Sequence, residues 1–378
     1  MKYSLVIKGA RVVDPSQNLD AVRDVAFAEG KVAAVSQSLA TGEAADVLEA
    51  AGLLVVPGLV DLHVHTFWGV SHYGVDPDHI NISKGVTTAV DAGTSGAHTF
   101  PAFRRNVIER AHTRLFALLN IASAGMISPK IGELTDLRWA DVEDAVSAAK
   151  QHRDLILGIK ARLARPTAGD NDVEALKRAL EAASAFGGFV MIHVGNTRTP
   201  LEQLVTKLRP GDVVTHTFHG LTEGILDEAG KVKDAILDAQ KRGVVFDVGH
   251  GAGSFSFRVA EKAFAQGFFP GNVSSDLHRY NVDGPVFDQL TTLSKFLHMG
   301  MPLPEVVRLS TAATAKTMGM AGRLGTLKAG AEGDATVLRI DDGKFALTDA
   351  MKVSVEAGKR LTHAHTIRSG RIYRHWDR

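Results

Sequence analysis

Cysteine is absent from the 378 residues, which excludes disulfides, thiolate metal ligands and a cysteine nucleophile together. Any metal must be held by histidine, carboxylate or a less usual donor. An excess of one charge is also lacking. Lys and Arg number 43 against 42 Asp and Glu, the net charge is +1, and there is no basic block or tail. No nucleic-acid partner is therefore expected. No apolar run approaches the length of a membrane span, and the opening MKYSLVIKGARVVD has neither a long apolar region nor a cleavage site. No signal peptide, no membrane partner and a cytoplasmic location are the expectations. What is present is a 45% apolar composition, sufficient for a substantial core, and 16 histidines.

Residues 1–52 carry short β-type runs (SLVIKGARVVD, DVAFAEG, KVAAVSQSL) broken at Asp14-Pro15 and Glu29-Gly30. From residue 53 the pattern changes to apolar strand-like runs alternating with amphipathic helical stretches. Eight such runs are read at 55–65, 86–93, 115–122, 155–162, 188–195, 212–218, 243–251 and 272–278. The stretch after Leu137 reads as a helix with Thr135 or Asp136 as its N-cap, and NDVEALKRALEAASAFGG reads as a helix stopped at Gly187. Stretches 285–298 and 304–318 supply the last helices. Eight strand–helix units predict a (β/α)8 TIM barrel, which typically uses about 250 residues. A doubly wound open sheet is the alternative, but no GxGxxG follows the first strand. After residue 322 β character returns, including LTHAHTIRSGRIYRH. The expected fold class is thus α/β. The barrel spans 53–322, and 1–52 with 323–378 form a small β-sandwich domain from both chain termini.

The chain is organised around LLVVPGLVDLHVH, Leu53 to His65. Side chains alternate along a strand, so His63 and His65 share a face. Barrel active sites form at the C-terminal strand ends. There the sequence offers His63 and His65 on strand one, Lys160 on strand four, His193 on strand five, His216 on strand six and Asp276 on strand eight. Each alone reads as an ordinary core or capping residue. Together, burying four imidazoles, an ammonium and a carboxylate without function would cost several kcal/mol, which points to a metal site.

This constellation resembles the amidohydrolase superfamily over nearly the whole chain, through PGLVDLHVH, the downstream Lys, His, His and Asp, and the closing GTLKAGAEGDATVL. The resemblance implies two divalent metal ions, expected to be Zn2+. His63, His65 and Asp276 would hold the more buried ion and His193 and His216 the second. Lys160 would be N6-carboxylated by CO2 and bridge both. It further implies hydrolysis of an amide or ester by a metal-bridged hydroxide, with Asp276 as the catalytic acid/base.

Within the superfamily, dihydroorotases place an arginine two residues after the second histidine, where this chain has Phe67 in HVHTFWG. HVHTFWG, GIKAR and the GHGAGSF loop look most like the amidohydrolase/deacetylase family. That resemblance implies a deacetylase acting on a small acylated carboxylate, such as an N-acetyl amino acid or O-acetyl hydroxy acid. The alternatives are a cyclic-amide hydrolase of dihydroorotase or hydantoinase type, and a non-catalytic barrel scaffold, which the six filled positions disfavour. Arg162, two after Lys160 on the same strand face, is a candidate for the substrate carboxylate, or else a rim salt bridge. Gly251 and Gly253 are candidates for close backbone approach to substrate, or else a plain tight turn. His219, His250, His278 and Tyr280 lie just past strand ends as candidate pocket residues, and Trp68 either walls the pocket or packs under a loop. The partner is expected to be this small molecule, with assembly into a homo-oligomer left open.

Overall fold

The computed structural model describes residues 1–374. Positions 375–378 of the expected terminal segment, and with them the end of the expected strand 361–375, lie outside the described residues. The architecture changes at Gly58. The preceding run Leu54–Pro57 joins the sheet built from the chain termini, between Leu5–Asp14 and Ala335–Thr348. The barrel strand begins only at Leu59. The single strand expected over 55–65 is therefore two. Gly58 stands at the join because a Cβ there would collide with the Thr87 side chain and with Asp334.

The terminal sheet has eight strands. Leu19–Ala28 and Lys31–Ser36 extend it on one side, Ser354–Arg368 and Arg371–Ile372 on the other, and Val47–Glu49 branches from Leu5–Asp14. Hydrogen bonding runs through one connected sheet, which establishes the small β domain from both chain termini but not the layering of the expected β-sandwich. One apolar cluster, with Ile7, Val12, Val25, Phe27, Val55, Val337 and Ile367, draws on strands from both ends of the chain. That shared core explains why the two ends read alike in sequence.

Seven parallel strands follow in sequential order: Leu59–Val64, Val86–Gly96, Arg114–Asn120, Ile156–Arg162, Phe189–His193, Val213–Thr215 and Val245–Phe246. The eighth run, 272–278, has no regular strand but closes the ring by parallel bridges Asp247–Asn272 and Val64–Leu277. Its irregularity coincides with Asp276, whose φ is +51°. Helices between the strands follow the expected plan. Asp172–Phe186 buries Ala175, Leu176, Ala179, Ala182 and Ala183, a stripe at helical spacing, and ends at Gly187 with φ +75°. The helix after the third strand starts later than expected, at Val142. Asp141 is its cap, while Asp136 caps a separate short turn over Leu137–Trp139. Gln289–His298, Leu303–Leu309 and Ala312–Thr317 complete the barrel wall. No helix among the described residues is long and apolar enough to cross a membrane.

Candidate metal centre

Because all the barrel strands run parallel, their C-terminal ends meet at one mouth. His63, Lys160, His216 and Asp276 lie there, all buried, with His65 beside them and His193 partly buried. His63 Nε2 and His65 Nε2 stand 3.3 Å and 3.1 Å from Asp276 Oδ1. Lys160 Nζ is 3.4 Å from His63 Nε2, and His216 Nε2 is 2.7 Å from His193 Nδ1. Ligand atoms of His63, His216 and Asp276 fall within 4.8 Å of one another. The six residues named at strand ends thus lie together, three of them as a mutual cluster and the others each against one member of it.

The far side of each imidazole explains its orientation. His63 Nδ1–H donates to Thr215 Oγ1 at 3.0 Å, and that hydroxyl donates to Asp247 Oδ2 at 2.7 Å. His65 Nδ1–H donates to Thr94 Oγ1 at 2.8 Å, and that hydroxyl donates to Asp91 Oδ2 at 2.8 Å. His216 Nδ1–H donates to the Gly249 carbonyl at 2.7 Å. In each case the outer bond fixes the tautomer with the Nε2 lone pair facing the centre, the arrangement a metal-ligating histidine needs.

Burial sets the charge states. It drives the pKa values of His63, His65 and His193 well below the ordinary imidazole value, and that of His216 to about 3, so these rings are neutral donors of a lone pair. Burial likewise pulls Lys160 down to about 7. The ammonium has no carboxylate in ion-pair contact and faces His63 Nε2 and Met191 Sδ instead. Asp276 Oδ1 has no hydrogen-bond partner among the described residues. Neutral imidazoles aimed at a common space, an unpartnered buried carboxylate oxygen and a readily deprotonated lysine fit a divalent metal centre and fit a plain core poorly.

A cavity of about 370 Å³ opens above these residues. Arg162, Gly253, His278 and Tyr280 line it. Gly251 is buried beneath instead, where a Cβ would overlap Asp276 Oδ2. His219 lines a neighbouring cleft of about 600 Å³ rather than the cavity over the metal residues. The strand-six loop turns its ring sideways, with Nδ1 accepting from Leu221 N at 3.2 Å. Among the described residues this larger cleft holds no converging set of ligands. His250 is fully buried and points away from the cavity, stacked on Phe255. Phe67 is turned into the core against Phe103, with ring centroids 4.9 Å apart. Trp68 is exposed on a separate surface groove and does not wall the pocket.

Arg162 is at once a cavity wall and an ion-pair partner. Its Nη1 donates to Glu133 Oε1 at 2.6 Å, and Asn120 Nδ2 holds the other Glu133 oxygen at 2.9 Å. The guanidinium lies 5.3 Å from the Tyr73 ring centre. Tyr73 and Glu133 lie in loops without periodicity, and no sequence signal singled them out. Thr94, Asp91, Thr215 and Asp247 were equally silent, because a polar residue one layer behind a ligand looks like any strand-end residue.

The family model described as "Amidohydrolase family" matches residues 54–233. A protein of Enterococcus faecalis named deacetylase is 34% identical over 376 residues, covering 99% of this chain and 100% of the relative. A crystal structure described as an adenine deaminase is similar at a TM-score of 0.92 and 34% identity, covering 98% of this chain and 100% of that chain. One described as a dihydroorotase is similar at a TM-score of 0.89 and 29% identity, covering 98% of each. The chain belongs to the amidohydrolase family and is a hydrolase.

Proposed function

We propose that the chain is a zinc-dependent deacetylase of small acylated carboxylates, such as N-acetyl amino acids or O-acetyl hydroxy acids. The observation that carries the reading is the convergence of four neutral histidines, Lys160 and an unpartnered Asp276 oxygen under a cavity walled by a partly buried arginine. His63, His65 and Asp276 would hold one divalent ion, and His193 and His216 a second. Lys160 would bridge them as an N-carboxylate, which replaces a repelled ammonium by an anionic oxygen donor. Bound there, the ions would acidify a shared water and polarise the acyl oxygen.

The remaining work falls to side chains of this chain. Arg162 keeps N–H groups beyond the one given to Glu133 and can donate them to the substrate carboxylate. Asp276 accepts the proton of the attacking water and delivers it to the departing nitrogen or oxygen. The acyl C–N or C–O bond breaks, and the products are a carboxylic acid and an amine or alcohol. The relative named deacetylase supports this reading over the whole chain. A cyclic-amide hydrolase finds less support, since position 67 contributes a core phenylalanine and no cation.

A substrate panel tests the proposal. N-acetyl amino acids and O-acetyl hydroxy acids of both hands are set against dihydroorotate, hydantoins and adenine. Turnover confined to the last three would reject the deacetylase reading. Lys160→Met should cut the bound metal from about two ions per chain to about one, and bicarbonate should aid reconstitution of the wild type. Full metal content in Lys160→Met would remove the bridging role.

A further inference from the structure

A second buried lysine stands behind the site. Lys295, on helix Gln289–His298, is completely buried. Two carboxylates act on it electrostatically, Asp288 and Asp349. Neither makes an ion pair with it. Both are engaged by backbone amides, Asp288 by Thr291, and Asp349 by Phe257, Met351 and Val353. The ammonium instead donates to His250 Nε2 at 2.7 Å and to the Pro285 carbonyl at 2.9 Å. Burial pulls its pKa down to about 7, as it does for Lys160, and a cation held there without an ion-pair partner calls for a reason.

The next bonds suggest the reason. With Nε2 accepting, His250 Nδ1 carries the proton and donates to the Gly251 carbonyl at 2.9 Å. That carbonyl belongs to the same trans peptide as the Ala252 N–H, which therefore points the opposite way, out of the core. Ala252, Gly253 and Ser254 line the cavity over the metal residues, and their amides make no hydrogen bond among the described residues. The loop is fixed at its base by His250 N to Ser274 O at 3.2 Å and Gly251 N to Ser275 O at 3.0 Å. A continuous chain thus runs from Lys295 through an imidazole and a peptide to the amide of Ala252, an exposed residue that lines the cavity. Bonds in such a chain polarise one another, most strongly at its buried lysine and histidine end.

We propose that Lys295 is a positioning residue which, through His250, holds and polarises the 251–252 peptide so that the Ala252 N–H binds a negatively charged oxygen of the ligand. This rests on the reading of the cavity as the site for a carboxylate-bearing substrate and its acid product. The ligand class is a small carboxylate, and acetate is the probe.

The test is a double variant, Lys295→Met with His250→Phe. It replaces the bonded lysine and imidazole together by apolar groups of similar size, leaving only the Pro285 and Gly251 carbonyls without those donors, and fold and metal content are measured alongside. In the zinc-loaded wild type, acetate should shift the Ala252 amide proton resonance downfield. In the double variant that shift should shrink and acetate affinity should fall roughly tenfold, less than the 10²–10³ lost on deleting a whole oxyanion donor. Should the double variant not fold, Lys295→Met alone is measured against the same expectations. Unchanged affinity and shift in the variant, or wild-type protein in which acetate leaves Ala252 unmoved, overturns the proposal. So does a loss of affinity fully repaired by restoring lost metal. If acetate behaves as expected while no acylated carboxylate is turned over, the deacetylase reading fails and the relay stands. If turnover is found and the variant keeps both its rate and its acetate affinity, the relay fails and the deacetylase reading stands.

Discussion

Removing one methyl-sized hydroxyl one layer behind the metal residues should weaken metal binding. Thr215→Val keeps the side-chain volume and deletes the acceptor of His63 Nδ1–H at 3.0 Å. It also deletes one of the two hydroxyl donors to Asp247 Oδ2, leaving Ser274 at 2.7 Å. The site cannot easily absorb this. His63 is buried, and burial has already raised the Asp247 pKa to about 6. A buried N–H without a partner costs about 1–3 kcal/mol. The ring can escape that cost by moving its proton to Nε2, but it then presents an N–H where a lone pair is required. Either route lowers affinity, by roughly 10–100-fold on the usual scale for such outer partners, or about 1.4–2.7 kcal/mol. Chelator competition on zinc-loaded protein measures it. Thr94→Val, which breaks the parallel relay behind His65, should behave alike. Thr217→Val is the control, since its hydroxyl donates only to the Val214 and Asp247 carbonyls and touches no imidazole. Zinc affinity within threefold of wild type in Thr215→Val, or an equal loss in Thr217→Val, would refute the relay argument.

Three further outcomes are expected. Replacing Arg162 by Met together with Glu133 by Gln removes the pair without stranding a buried charge, and should lower kcat/KM for acylated acids roughly tenfold to hundredfold while sparing matched neutral esters; equal losses reject the carboxylate role. Gly251→Ala must place its Cβ against Asp276 Oδ2 on a backbone with φ +54°, so turnover should fall sharply with a smaller loss of overall stability, read by rate and thermal melt. At Glu332, burial alone would raise the carboxyl pKa, but bonds from Lys31 and Arg323 and the charge of Arg114 outweigh it and hold it at about 2. Its folded pKa lies below its unfolded one, so its stabilisation, on the order of 1 kcal/mol once solvent screening of these partly exposed partners is allowed for, is complete above about pH 5 and is lost as pH falls toward 2. Melting curves of Glu332→Gln should accordingly show lower stability at pH 7 and a shallower decline in acid; parallel curves for variant and wild type would reject the assignment.

The barrel was legible because its strands alternate with helices whose apolar stripes, such as Ala175, Leu176, Ala179, Ala182 and Ala183, carry helical period in plain view. The clustering of His63, His65, Lys160, His193, His216 and Asp276 was legible because each is an ionisable residue at the end of an apolar run, where nothing apolar explains it. Residues 54–57 were misassigned for a related reason: a strand in the terminal sheet and a strand in the barrel both bury two faces, and LVVPGLV shows no change of period at Gly58. The order of strands in the terminal sheet was not legible, because pairing across the chain termini depends on register that sequence does not display. His219 and His250 were grouped with the pocket on position alone, but the direction of a loop side chain follows from the turn it sits in. Tyr73, Glu133 and the threonine–aspartate pairs had no signal, since their role exists only across strands distant in sequence.

Two of the proposed metal ligands occupy backbone conformations that side chains avoid. His216 has φ +70° and Asp276 has φ +51°. Each such residue costs about 1–3 kcal/mol unless its surroundings impose it. The surroundings can be named. Asp276 N donates to the His63 carbonyl at 2.7 Å, and Asn281 Nδ2 donates to the Asp276 carbonyl at 2.8 Å. The His216 ring is tied to the Gly249 carbonyl, and Gly249 and Gly251 are themselves left-handed, lying where a Cβ would meet Thr215 or Asp276. These restraints are protein–protein bonds in the scaffold and do not depend on a metal. His216 and Asp276 are therefore held by strand one and the glycine loop in the protein alone. A divalent ion bound as proposed would find the site preorganised, and its binding energy would not be consumed in assembling it.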